Sequence, residues 1–100
     1  MLKHIVFWKL KDHAEGGDRA TNAHKMKELL DACATLVPGI VKLEVAIAQP
    51  GLEATYDVVL YSEFESKAAL QAYQDHPAHA AMKPFFAAVR EARQCMDYET

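Results

Sequence analysis

The chain has 100 residues, enough for one domain that buries roughly two thirds of its unfolded surface. Apolar residues make up 51% and charged residues 25%, which excludes a disordered segment, and a net charge of −3 without a basic cluster argues against a nucleic-acid partner. No apolar run approaches the ~20 residues of a membrane span, and Met1-Leu2-Lys3-His4 does not open a signal peptide.

Residues 2–10 alternate, with Leu2, His4, Val6, Trp8 and Leu10 on one side and Lys3, Ile5, Phe7 and Lys9 on the other. That period of two, rich in Ile, Val, Phe and Trp, predicts a strand that is apolar on both faces at its centre. Residues 12–18 read as a polar loop, with Asp18 as the N-cap of a helix over Arg19–Val37. Within that helix Met26, Leu29, Leu30, Cys33, Ala34 and Val37 recur at helical spacing, and Pro38-Gly39 turns the chain out of it. Ile40–Ala48 alternates again, Gln49-Pro50-Gly51 opens a connection, and Thr55–Phe64 follows, so these two strands should pair as an antiparallel hairpin. Ser66 caps a further helix carrying Ala69, Leu70 and Tyr73, which Pro77 interrupts. Past Pro84, the residues Phe85, Phe86, Val89 and Ala92 mark a last helical stretch, and residues 94–99 read as a fourth strand. Cys33 and Cys95 have no CxxC or metal spacing, so two reduced, buried thiols in a cytoplasmic protein are expected.

The order strand, helix, strand, strand, helix, strand, with right-handed crossovers, predicts a ferredoxin-like α+β domain with both helices on one face of a four-stranded antiparallel sheet. His4, Val6 and Trp8 would face the helices together with Tyr56, Val58 and Leu60. The far face would carry Ile5, Phe7, Val59 and Tyr61, extended by Met96 and Tyr98. Apolar area left in water forgoes about 25 cal/mol per Å². The simplest cover is a second copy of the same face, a homodimer with Ile5, Phe7, Val59 and Tyr61 at its interface.

The segment Tyr73-Gln74-Asp75-His76-Pro77-Ala78-His79 gathers a phenol and two imidazoles around one proline. On an unbroken helix Tyr73 and His79 would lie about 240° apart. Pro77 lacks an N–H and pushes His76 towards extended backbone, so a helix ending near Asp75 and another starting at Pro77 could turn both side chains into one space. A capped helix junction with surface histidines is the competing reading.

Four stretches in this order resemble the stress-responsive A/B barrel (Dabb, dimeric α/β barrel) family over nearly the whole chain. They are Lys3-His4-Ile5-Val6-Phe7-Trp8-Lys9-Leu10-Lys11, Val37-Pro38-Gly39-Ile40, Phe64-Glu65-Ser66 leading into Tyr73–His79, and Met96-Asp97-Tyr98. The resemblance implies the ferredoxin-like fold, a back-to-back dimer and a single A/B barrel domain over residues 1–100. Members include plant stress-induced proteins, many uncharacterised bacterial proteins, and the plant polyketide cyclase that makes olivetolic acid. In that cyclase a tyrosine and the second histidine of a similar Tyr-x-x-His-Pro-Ala-His run act in the chemistry, and by resemblance those roles fall on Tyr73 and His79. The same resemblance puts His4 on the pocket wall and Asp97 near it. Val6, Trp8, Met26, Leu30, Leu60 and Met82 complete the expected wall, with Arg93 towards its far end. Trp8 is bulkier than the aliphatic residue expected there, and these departures give a pocket of different shape, so the cyclase's substrate does not carry over.

On this reading His79 is a general base or acid, with Asp97 bonded to its other nitrogen, and Tyr73 donates to a substrate carbonyl or its enolate. A tyrosine of the core, with its ring buried, is the alternative for Tyr73. His4 reads as pocket-lining, His76 as serving the helix junction, and His13 and His24 as solvated. His76 and His79 with Asp75 and Asp97 could approach a metal, and related barrels bind haem through a histidine, but the chain has no diagnostic spacing for either. No metal and no cofactor is expected.

Three functions follow in order of preference. The first is a homodimeric small-molecule-binding, stress-associated protein without turnover, and the second a lyase- or cyclase-type enzyme acting on a polyketide-like carbonyl compound. A dimeric α/β-barrel monooxygenase ranks third. A cavity shared by His4, Tyr73 and His79 would favour catalysis, and one filled by Trp8, Met82 and Phe86 would oppose it.

Overall fold

Strand β1 (Leu2–Leu10) buries its even-numbered side chains under the helices and turns Lys3, Ile5, Phe7 and Lys9 to the other side, the alternation that its sequence pattern requires. All of residues 1–100 are described by the computed structural model. After β1 a short hairpin, β2 (His13–Ala14) and β3 (Gly17–Asp18), occupies what the sequence suggested was plain loop. Glu15 (φ 51°) and Gly16 (φ 74°) both take left-handed backbone there, the geometry of a tight two-residue hairpin turn. The buried Asn22 amide donates to the carbonyls of Ala14 and Gly17 and ties this hairpin to the following helix.

Helix α1 (Arg19–Asp31) starts where Asp18 accepts a hydrogen bond from the Thr21 amide at 2.8 Å. It ends six residues before the expected Val37. The chain continues in tight turns, with Cys33 N–H donating to Leu30 and Leu36 N–H donating to Cys33, which keeps Cys33 in the core while the backbone leaves the helix axis. Strands β4 (Ile40–Ile47) and β5 (Val58–Phe64) pair antiparallel as expected, although β5 begins three residues later than its composition suggested. That late start overturns the expectation for Tyr56. Its ring meets Phe7 edge-on at 6.2 Å on the far face and does not turn to the helices.

The second helical region is three short pieces: α2 (Lys67–Asp75), α3 (Pro77–Ala80) and α4 (Lys83–Val89). Ser66 caps α2 by accepting from the Ala69 amide. His76 is the joint: its backbone is extended (φ −63°, ψ 136°), and its Nδ1 accepts from the Ala78 amide at 3.0 Å to cap α3. Pro84 lies in the first turn of α4. The last helix stops at Val89, so Ala92 is not helical. Strand β6 (Arg90–Glu99) starts four residues earlier than expected because Arg90–Arg93 pair with Leu10, Lys9 and Trp8 of β1.

The sheet order is β4-β5-β1-β6, all antiparallel, with helices on one face, a ferredoxin-like arrangement. The core between sheet and helices includes Val6, Leu10, Met26, Leu30, Val58, Phe64, Tyr73 and Val89, each at most 2% exposed. The opposite face divides in two. Its apolar part holds Ile5, Phe7, Tyr56, Val59 and Met96, with Phe7 41% and Met96 66% exposed in the lone protomer. Its polar part is knit together by side chains: Tyr61 donates to Glu63 at 2.6 Å, Lys42 lies over the Tyr61 ring and Lys3 over that of Tyr98. No helix is long and apolar enough to cross a membrane.

Candidate functional site

A cavity of about 340 Å³ opens between the sheet and the jointed helices. Its floor comes from β1 and β5, where the alternation presents His4, Val6, Trp8 and Leu60. Leu30 of α1 closes one side, and His79, Met82 and Phe86 of the broken helical region form the roof. Trp8, Met82 and Phe86 therefore line the space without filling it. Trp8 meets Phe86 edge-on at 5.5 Å and is held as part of the wall. Gln74, Lys83, Ala87, Arg90 and Arg93 complete the lining, and of these only Arg93 was suggested by the sequence. Gln74 and Lys83 sit at helical positions with no apolar pattern to mark them, and Arg90 had been read as helix.

The break at His76-Pro77 brings Tyr73 and His79 together, with ring centroids 4.7 Å apart. They are not equivalent with respect to the cavity. His79 is on the wall, whereas Tyr73 is 0% exposed, packs against Phe64 at 5.3 Å and is not a lining residue. Met26 is likewise fully buried in the core and does not reach the cavity. Three buried polar atoms in this region have no hydrogen-bond partner within the chain: Trp8 Nε1, the Tyr73 hydroxyl and His79 Nδ1. A polar atom left with no partner at all costs about 1–3 kcal/mol.

Asp97 does not partner His79. Its Oδ1 lies 2.5 Å from Nδ1 of His4, because the β1–β6 register sets Asp97 directly across from His4. A carboxylate can only accept, so Nδ1 of His4 carries the proton and donates it to Asp97. The His4 backbone carbonyl accepts from the buried Ser62 hydroxyl at 2.7 Å, which fixes the strand beneath the ring.

Burial lowers the His79 pKa below the ordinary imidazole value, and the nearby Lys83, His4 and Arg93 act in the same direction. At neutral pH the ring is uncharged and able to accept a proton. Burial and the neighbouring Cys33 push the Tyr73 phenol well above its ordinary value, so it remains a donor. Cys33, whose own thiol is raised by burial, contacts the Met82 sulfur at 3.8 Å beside this cluster. No group of three or more His, Cys, Asp or Glu side chains converges anywhere in the chain in a way that could hold a metal. A second, more open hollow of about 480 Å³ lies on the opposite face, between Phe7, Val59 and the connection before β5, and contains no histidine.

A ferredoxin-like sheet with a helix-roofed cavity on one face and an exposed apolar patch on the other defines the class of dimeric α+β barrels. The chain belongs to the Stress responsive A/B Barrel Domain family (Dabb), whose sequence profile matches residues 2–100. It is similar to a solved dimeric protein of unknown function and ferredoxin-like fold from Bacteroides fragilis NCTC 9343. The two are 34% identical with a TM-score of 0.82, covering 99% of this chain and 95% of that one. A Dabb family protein with a ferredoxin-like fold from Mesorhizobium loti superposes with a TM-score of 0.71 at 24% identity, over 99% of this chain and 95% of that one. An antibiotic biosynthesis monooxygenase shares the fold with a TM-score of 0.71 at 18% identity, over 100% and 98% of the two chains. No curated protein matches the sequence.

Proposed function

We propose that this chain is a homodimeric binding protein that holds a small organic molecule in the cavity between its sheet and helices. The observation that carries the reading is the pair of orphaned polar atoms, Trp8 Nε1 and His79 Nδ1, on side chains that line the chamber. A ligand carrying hydrogen-bonding groups would satisfy both and recover what their burial costs. The homodimer is supported by the exposed Phe7 and Met96 on the far face and by relatives described as dimeric. Ile5, Phe7, Val59 and Tyr61 would meet their counterparts there. The reading includes a cytoplasmic setting, supported by two free thiols, Cys33 buried and Cys95 exposed.

A second reading, a lyase- or cyclase-type enzyme, is favoured by one feature: burial keeps His79 unprotonated beside a phenol that stays protonated. His79 would take a proton from the carbon next to a substrate carbonyl; the C–H pair would form the carbon–carbon double bond of the enolate and the carbonyl π pair would move onto oxygen. Tyr73 would donate to that oxygen. Its hydroxyl would have to gain access past the His79 ring. The likeness to a monooxygenase at 18% identity concerns the fold and lends that third activity no support.

The test is a thermal-shift screen with polyketide-like and quinone-like compounds, repeated on His79→Ala and Tyr73→Phe. Binding lost in His79→Ala supports the site. Binding retained with turnover lost supports the enzyme reading. Equal binding and equal turnover in both variants removes the roles given to these two residues.

A further inference from the structure

The cavity's charge is at odds with the chain's. The protein carries a net charge of −3, yet three cations, Lys83, Arg90 and Arg93, line the cavity and no carboxylate does. None of the three takes part in an ion pair within the chain, and the one polar contact of Arg93 is its Nη1 on the Cys95 sulfur at 3.6 Å. The Asp97 carboxylate of the same strand is taken up by His4.

The convergence of the two arginines comes from an irregularity in the strand. Arg90 and Arg93 are three positions apart, and on a regular strand an odd spacing sends side chains to opposite faces. The β1–β6 ladder slips between Lys9 and Leu10, so that Lys9 pairs with Ala92 while Leu10 pairs with Arg90, and Glu91 is left without a partner. This bulge returns Arg90 to the side that Arg93 occupies, and both reach the cavity. Arg90 is half-buried and Arg93 and Lys83 are exposed, so the cations ring the mouth while Val6, Leu60 and Phe86 form the interior. Deeper in, the indole N–H of Trp8, a residue 4% exposed, is an unpartnered donor.

We propose that the ligand is an organic carboxylate with a compact apolar body, its carboxylate held at the mouth by Arg90 and Arg93 and its body against Trp8. The guanidinium fork matches a planar carboxylate in a way a lone ammonium does not. The apolar body displaces water from the wall of Leu30, Leu60 and Phe86. This inference rests on the binding reading above and adds the chemical class to it.

Trp8 is the single tryptophan of the chain and lines the cavity, so intrinsic fluorescence reports occupancy directly. Three isosteric probes are titrated into the intact protein: para-tert-butylbenzoate, the neutral amide and the benzylammonium cation. The carboxylate is expected to bind about tenfold more tightly than the amide, the preference worth about 1.4 kcal/mol that a charge-assisted pair supplies, with the ammonium weakest. Arg90→Gln combined with Arg93→Gln should remove most of the carboxylate's tenfold advantage over the amide. Raised salt should weaken the carboxylate alone, a result that needs no variant to fold. An amide that binds as well as the carboxylate, or an ammonium that binds better, overturns the anion assignment and leaves the binding reading standing. No response of Trp8 to any of the three at millimolar concentration overturns both.

Discussion

Replacing Tyr73 by Phe should make the protein more stable. The Tyr73 ring is 0% exposed and sits against Phe64 and His79, contacts that phenylalanine keeps. The hydroxyl has no partner, and a buried polar group in that state costs about 1–3 kcal/mol. Against this stands the small void left by one oxygen atom, so a net gain of about 1 kcal/mol is expected. For a domain of this size that corresponds to a rise in Tm of roughly 4–8 °C. Truncation to alanine would act in the opposite direction, costing about 3–5 kcal/mol through the cavity it leaves. Urea unfolding at a fixed protomer concentration is the assay, because association links stability to concentration. The midpoint should rise with the slope unchanged. A midpoint that falls by an amount comparable to a hydrogen bond would mean that the hydroxyl has a partner, and the argument from an orphaned phenol would fail. A rise would mean that the sequence retains a destabilising hydroxyl beside His79.

Gly39→Ala should destabilise by about 1–3 kcal/mol, because the new Cβ would lie 2.8 Å from that of Ala69 at a backbone φ of 92°, and a thermal melt that does not move would contradict it. Lowering the pH should weaken the fold through His79. Its folded pKa is depressed, so the unfolded chain takes up a proton that the folded chain resists. The contribution is complete above the ordinary value of 6.5 and is lost as pH falls through the folded pKa; His79→Gln should flatten that decline in a chemical-denaturation series. Phe7→Lys should convert the dimer to a folded monomer at micromolar concentration, measured by light scattering, since Phe7 is 41% exposed in the protomer and its loss leaves the core intact. A wild-type protein that is already monomeric would refute the interface.

Local rules were enough for the elements that answer to local rules. The alternation in Leu2–Leu10, the cap at Ser66 and the proline at position 77 each act within a few residues, and each stands as expected. Even the assignment of His76 to the helix junction follows from its neighbours. What escaped was set by pairing at a distance. Arg90-Glu91-Ala92-Arg93 is acceptable helix by composition, but ladder bonds to β1 claim it as strand, and no periodicity in the segment announces this. The same register decides that Asp97 serves His4 and not His79. A carboxylate two residues from the end of a strand gives no hint of its opposite number until the alignment of the strands is known. Tyr56 followed for the same reason, since its face depends on where β5 begins.

The roof of the chamber, cut at Pro77 and Pro84 into segments of nine, four and seven residues, behaves like a jointed lid on a stiff keel. Each segment is too short to hold its shape alone and takes its pose from whatever it rests upon. Exchanging one side chain can tilt a single segment and resize the space below while the strands stay put. A scaffold organised in this way separates the part that must never change from the part that can be retuned, so the hollow can alter its girth while the sheet keeps its form.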